Sequence, residues 1–373
     1  MSLAPDAPAG LPPGVRGGAP ADVGAFRSLH AELVSFLDGR PNADLAPELV
    51  GELSALVLRG GKRLRPAFAW WGWRAAGGDA DGPRARTTVR ALVALELLQG
   101  CALVHDDVMD RSTTRRGSPT AHVVFATRHQ RARWAGESRL YGDSAAILVG
   151  DLALAWADDA LVTAGLDGPA LARAWVPWQA MRTEMMAGQH LDLLAGARRE
   201  ESLEQALRVA RYKTAAYTVE RPLHLGAALA DSPPDLVDAL REFGRDIGVA
   251  FQLRDDLLGV FGDSTVTGKP VGDDVREGKR TPLMAVAIGL ARASGRDDAV
   301  RRLRSCLEGR NLTDGALAEV RELLHDLGAV GAVEEQIAVL TTSALHALDQ
   351  TTMTASARTT LRRLATQVTA RRR

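Results

Sequence analysis

Two stretches of the chain carry paired carboxylates at helical spacing inside otherwise apolar sequence. In residues 94–110, ALELLQGCALVHDDVMD, the side chains of Glu96, Gln99, Leu103, Asp106 and Asp110 recur at steps of three and four and so share one helix face. Asp107 stands about 100° round from Asp106, near enough to reach a shared ion. In residues 248–263, GVAFQLRDDLLGVFGD, Gln252, Asp255 and Gly259 repeat that spacing, with Asp256 beside Asp255. Carboxylates on a narrow polar stripe of a buried helix need a partner, and bound cations supply one. Oxygen donors without His or Cys favour Mg²⁺ over zinc. Two acidic pairs about 150 residues apart suit the halves of one site, with two or three Mg²⁺ around a diphosphate.

Basic residues must balance the remaining phosphate charge. Gly60-Gly61-Lys62-Arg63-Leu64-Arg65-Pro66 precedes a helix, whose free N–H groups favour a bound anion near Lys62 and Arg65. Arg115-Arg116-Gly117 lies five residues beyond Asp110, and Lys213-Thr214, Lys269 and Lys279 are further candidates. Arg offers phosphate a planar bidentate fork and Lys a compact charge.

The elements that must hold these groups read as helices throughout. From Val23 onward, residues such as Phe26, Leu29, Leu33 and Phe36 follow the spacing of one buried helix face. Further runs cover 46–58, 65–76, 84–110, 143–164, 169–195, 201–214, 217–230, 234–261, 281–294, 296–307, 313–326, 329–347 and 355–370, separated by Gly and Pro. The expectation is an all-α fold, one helical domain over 23–373, with no strand and with 111–142 as an irregular loop. Residues 1–22, rich in Pro, Gly and Ala, read as a disordered lead-in.

Composition narrows the function. With 46 Lys+Arg against 46 Asp+Glu, the chain lacks the basic surplus that holds nucleic acid or an acidic membrane. Aromatics at 5%, with three Tyr, are few for a β-sandwich or barrel. Two cysteines, Cys101 and Cys306, make neither a disulfide framework nor a Cys-rich zinc site, and suit a reducing compartment. No secretory signal and no transmembrane stretch is read, so the cytoplasm is expected.

Taken in order, GGKRLRP, DDVMD followed by RRG, GQHLD at 188–192, KT at 213–214, and QLRDD with a downstream GKP resemble the trans-isoprenyl diphosphate synthases, the polyprenyl synthetase family. The match spans roughly residues 30–350. The resemblance implies helices around a deep central cavity, a homodimer, and Mg²⁺-dependent condensation of isopentenyl diphosphate with an allylic diphosphate. By the same resemblance, Asp106, Asp107 and Asp110 bind Mg²⁺ on the allylic diphosphate, and Asp255 and Asp256 hold another. Lys62, Arg65, Gln99 and Arg116 match residues that hold isopentenyl diphosphate. Arg115, Lys213 and Lys269 match allylic diphosphate contacts, with Thr214, Gln189, Asp192 and Gln252 near the reacting end and Asp192 a further metal candidate. Lys279 fits the basic residue of a closing loop over 262–280, and Asp273-Asp274 reads as a structural pair for Lys279 or Arg280. One departure stands out: where many members read DDxxD in the second motif, this chain has Gly259.

Product length is read one helical turn at a time below Asp106, each turn rising about 5.4 Å, roughly one isoprene unit. Cys101 and Ala102, one turn down, leave that level open, and Leu98 is expected as a floor below them, with Trp70, Trp71 and Met185 as further candidates. This favours a C20 product, geranylgeranyl diphosphate, over C15. A terpene cyclase would need no second diphosphate site, and a regulatory subunit would lose aspartates or cations; Lys62, Arg65, Gln99 and Arg116 favour condensation.

Overall fold

The computed structural model describes residues 20–115, 117–262, 272–308 and 313–370. It opens with α1 (Pro20–Asp38), α2 (Pro47–Leu58), α3 (Leu64–Ala75) and α4 (Gly82–Asp110). A short hairpin, β1 (Thr114–Arg115) and β2 (Ser118–Pro119), leads to α5 (Ala121–Ala132), α6 (Ser138–Val162) and α7 (Gly168–Arg198). Then α8 (Leu203–Val209) runs on as a π-helical segment, Ala210–Glu220, into α9 (Arg221–Leu229) and α10 (Pro234–Phe261). The rest is α11 (Asp273–Arg276), α12 (Pro282–Ala293), α13 (Asp297–Glu308), α14 (Asp314–Asp326), α15 (Ala329–Asp349) and α16 (Ala355–Thr369).

The helix starts follow local chemistry. Pro sits in the first turn of α2, α4, α7 and α10, where its missing N–H costs nothing. Asp167 caps α7 by accepting from Ala170 N at 2.7 Å. The main apolar core wraps α4, whose residues Leu92, Leu95, Leu97 and Leu98 are all buried. A second cluster packs Leu253, Leu257 and Val260 of α10 against α12 to α15. Helix α10, about 42 Å long, therefore serves both cores and carries the second acidic motif between them.

Four expectations change. Residues 20–22, assigned to the lead-in, are helical, and Asp22 is buried where it accepts from Trp70 Nε1 at 3.0 Å. Residues 1–19 lie outside the described residues. Residues 111–142 hold the hairpin and α5, whose buried Ala121, Phe125 and His129 fall at steps of four; the many Arg and His residues hide that period. The separate helices expected over 201–214 and 217–230 join through the π-helical segment. Finally, α4 is by length and composition able to cross a membrane, but most of its apolar stretch is buried within the protein, and it serves as a core helix.

Candidate active site

The site is a cavity of about 840 Å³ enclosed by α4, α7, the π-helical segment, α10 and the chain leading into α3. The stripe on α4 faces it as the spacing requires: Glu96, Gln99, Leu103 and Asp106 all line the wall. From the other elements come Gln189, Lys213, Thr214, Gln252 and Asp255, and from the α3 entry Lys62 and Arg65.

At one end of the cavity the first acidic motif meets three cations. Lys213 Nζ lies 3.1 Å from Asp106 Oδ1 and 2.6 Å from Asp192 Oδ2. Gln189 Nε2 donates to Asp106 Oδ1 at 3.3 Å, and Arg115 reaches Asp106 Oδ2 at 3.4 Å. Burial works to raise the Asp106 carboxyl, but Lys213, Lys279 and Arg115 together outweigh it and hold Asp106 below the ordinary range. Burial likewise works to lower the Lys213 ammonium, and Asp106 and Asp192 reverse it, so Lys213 stays charged. The motif around 188 has a packing reason. A Cβ at Gly188 would overlap the backbone of Tyr212 and Lys213, so only glycine lets α7 bring Gln189 and Asp192 beside Lys213.

Arg115 owes its position to the hairpin. Helix α4 ends on Arg111 in the left-handed region, and pairing of Thr114 with Pro119 and of Arg115 with Ser118 folds the chain back. Thr120 pins the base by donating to Ser112 O at 2.7 Å. The guanidinium then grips Asp107, with Nε 2.8 and 2.9 Å from its two oxygens. Asp107 is buried behind the cavity wall, where it anchors Arg115.

The second motif stands across the cavity. Asp255 lines the wall, but Asp256 is fully buried, accepts from Gln252 Nε2 at 2.7 Å, and has its other oxygen without a hydrogen bond. Burial pushes its carboxyl well above the ordinary range, with Asp274 and Asp255 adding to it, so a nearby cation is what would favour its charged form. Position 259 explains itself in space. A Cβ at Gly259 would overlap Asp274 Oδ2, and Asp274 lines the cavity beside Asp255. Asp274 therefore occupies the room that a third side chain of the motif would take. Lys279 Nζ links the two sides, 3.3 Å from Asp110, 3.5 Å from Asp274 and 2.7 Å from Glu277.

A second polar end lies toward α3. The chain turns through Gly60 at φ 91 and reaches Arg63 at φ 45, whose buried guanidinium pairs with Glu96 and donates to Val57 O at 2.8 Å. This turn leaves Lys62 and Arg65 on the cavity wall. Arg65 donates to Thr218 Oγ1 at 2.8 Å and lies 4.0 Å over the Tyr217 ring. The Tyr217 hydroxyl donates to Gln99 Oε1 at 2.8 Å. Sequence reasoning missed Tyr217, Thr218 and the cavity role of Asp274; the signal for Tyr217 was its place four residues after Lys213. Widened π-helical turns are frequent at functional sites, and this one turns Lys213, Thr214, Tyr217 and Thr218 all to the cavity.

Of the chain-length residues, Cys101 and Ala102 line the cavity, as do Met185, Met186 and Leu193. Leu98 does not: it is fully buried in the main core. Trp70 and Trp71 are core residues too. Arg116 and Lys269 lie outside the described residues.

Comparison with known proteins agrees with this geometry. A family model described as polyprenyl synthetase matches residues 47–324. The chain is 32% identical over 291 residues to the geranylfarnesyl diphosphate synthase of Aeropyrum pernix, covering 77% of this chain and 83% of that one. It is 34% identical over 269 residues to the (2E,6E)-farnesyl diphosphate synthase of Mycobacterium bovis, covering 71% and 67%. Among solved structures, geranylgeranyl pyrophosphate synthase from Corynebacterium glutamicum, complexed with isoprenyl diphosphate and magnesium, is similar with a TM-score of 0.87 and 43% identity, covering 92% and 98%.

Proposed function

The chain belongs to the polyprenyl synthetase family and is a prenyl diphosphate synthase, and on that premise we propose that it condenses isopentenyl diphosphate with an allylic diphosphate to make geranylgeranyl diphosphate. The observation that carries this reading is the presence of two polar ends on one cavity. Lys62, Arg65 and Gln99 form one, and Asp106, Lys213 and Asp255 the other. A cyclase needs a single diphosphate site; two fit a condensation.

The donor set fits Mg²⁺. Asp106 and Asp255 offer only hard oxygens, and Asp110 stands behind Lys279. Among the described residues no three acidic, His or Cys side chains are grouped to hold an ion alone, in keeping with an ion completed by phosphate oxygens. When bound, Mg²⁺ supplies positive charge against the leaving diphosphate.

The protein's own groups do the rest. Lys213 and Arg115 stabilise the negative charge that grows as the allylic C–O bond breaks, with Thr214, Gln189 and Gln252 orienting that end. Lys62, Arg65 and Gln99 hold isopentenyl diphosphate so that its double bond attacks the allylic carbon, forming the new C–C bond as the C–O bond to diphosphate breaks. The departed diphosphate then takes the proton lost from the isopentenyl unit. Cys101, Ala102 and Met185 leave apolar room for the growing chain and keep water from the cation. That room supports C20. Burial pushes the Cys101 thiol up to about 12, so it stays protonated and does no nucleophilic work.

The exposed apolar residues Leu140, Tyr141, Ile147 and Leu148 fall on one side of α6, and a homodimer that buries them is part of this proposal, as is a cytoplasmic location. The test is mass spectrometry of products from purified protein, Mg²⁺, isopentenyl diphosphate and each allylic starter. A C20 diphosphate is expected. A C15 or C25 product would reject the length, and a hydrocarbon formed without isopentenyl diphosphate would reject condensation.

A further inference from the structure

We propose that Gly150 on α6 is a specificity-determining position, holding open the seat of the His105 ring so that the Gly150–His105 pair sets how long a chain the cavity accepts. This rests on the reading of the protein as a chain-elongating synthase. His105 follows Cys101 by four residues on α4, with Cys101 Sγ 3.7 Å from its Nδ1, and both line the cavity beside Ala102. The ring thus stands at the level where the growing chain leaves the reacting end.

Its far edge is anchored on α6. Nε2 lies 3.1 Å from the carbonyl oxygen of Ile147 and 3.6 Å from Asp151 Oδ1. A carbonyl only accepts, so Nε2–H donates to it and Nδ1 is left to face the Cys101 thiol. This anchorage exists because residue 150 has no side chain. A Cβ there would overlap Nε2 and Cδ2 of the ring and stand 2.8 Å from Cε1. Any larger residue at 150 must drive the imidazole off α6. The ring is about a quarter exposed, and with α4 behind it we take its displacement to be into the cavity that it already lines rather than toward solvent.

The sizes match the unit of growth. An imidazole has five ring atoms and an isoprene unit five carbons, so a ring swung inward removes room for about one unit, and a ring deleted adds about one. Gly150 is a positioning residue, acting through His105.

The experiment compares full-length wild type, Gly150→Ala, His105→Ala and the double variant, each checked for folding by thermal melting. Products made from isopentenyl diphosphate and each allylic starter are resolved by mass spectrometry. Gly150→Ala is expected to move the main product one C5 step shorter, raising the ratio of shorter to wild-type product about tenfold. His105→Ala is expected to move it one step longer, and the double variant to lose the shortening. A folded Gly150→Ala with the wild-type distribution overturns the proposal, as does a double variant as short as Gly150→Ala. Should Gly150→Ala not fold, His105→Ala decides alone, and an unchanged product length overturns it. A wild type that makes no prenyl diphosphate refutes the synthase reading itself, a result distinct from an unchanged distribution.

Discussion

Tyr217 gives the sharpest test of the site because it touches both Arg65 and Gln99 at the end assigned to isopentenyl diphosphate. Tyr217→Phe keeps the ring under the Arg65 guanidinium, 4.0 Å away, and removes the 2.8 Å hydrogen bond to Gln99 Oε1. One such bond contributes about 0.5–1.5 kcal/mol net, so KM for isopentenyl diphosphate should rise about 2- to 13-fold. Tyr217→Leu also removes the face on which Arg65 rests, a contact of about 0.5–2 kcal/mol, taking the rise to about 5- to 400-fold. The allylic starter is held by Lys213 and Asp106 in this reading, so its KM should stay within about twofold. The assay is steady-state kinetics with each substrate varied in turn. Equal rises for both substrates, or no rise in Tyr217→Leu, would refute the division of the cavity into two diphosphate ends.

Asp106→Ala and Asp255→Ala should each lower turnover by about a hundredfold or more at saturating substrate, and near-normal turnover in either removes that residue from the metal site. Gly259→Ala must displace Asp274 and its contact with Lys279, so the Mg²⁺ concentration for half-maximal activity should rise about five- to a hundredfold. Asp274→Asn should do the same, and unchanged Mg²⁺ titrations in both variants would make Asp274 a bystander. Burial, with Arg221 and Arg241 nearby, pushes His224 from 6.5 down to about 4, and Arg221 donates to its Nδ1 at 3.2 Å. Between pH 6.5 and about 4 the unfolded chain binds this proton and the folded one does not. Stability should therefore fall by about 3 kcal/mol as pH drops through that window. His224→Gln should flatten this acid limb in urea melts at pH 4 to 7, and an unaltered slope would refute the assignment.

Most of the fold was legible because its signals are local. Apolar spacing, first-turn prolines and Gly-Pro breaks bound α2, α4, α10 and α14 within about two residues of where they lie. Helix α5 was not legible, since its three-residue buried face is set among arginines and histidines. The π-helical segment was not legible either, because its widened turns answer to the packing of α7 and α10 around it and to no local residue pattern.

The sequence by itself determined which groups exist and which share a helix face: the Asp106 stripe on α4, the Asp255 pair on α10, and the cations ahead of α3 and after α4. Tertiary structure decided what each carboxylate does. Asp106 and Asp107 are neighbours of one type, yet one lines the cavity between Lys213 and Arg115 while the other is buried against Arg115 alone. Asp255 and Asp256 divide in the same way, one at the wall and one buried beside Gln252. The reason is geometric: successive helix residues point about 100° apart, and only the neighbouring elements determine which direction is cavity and which is core.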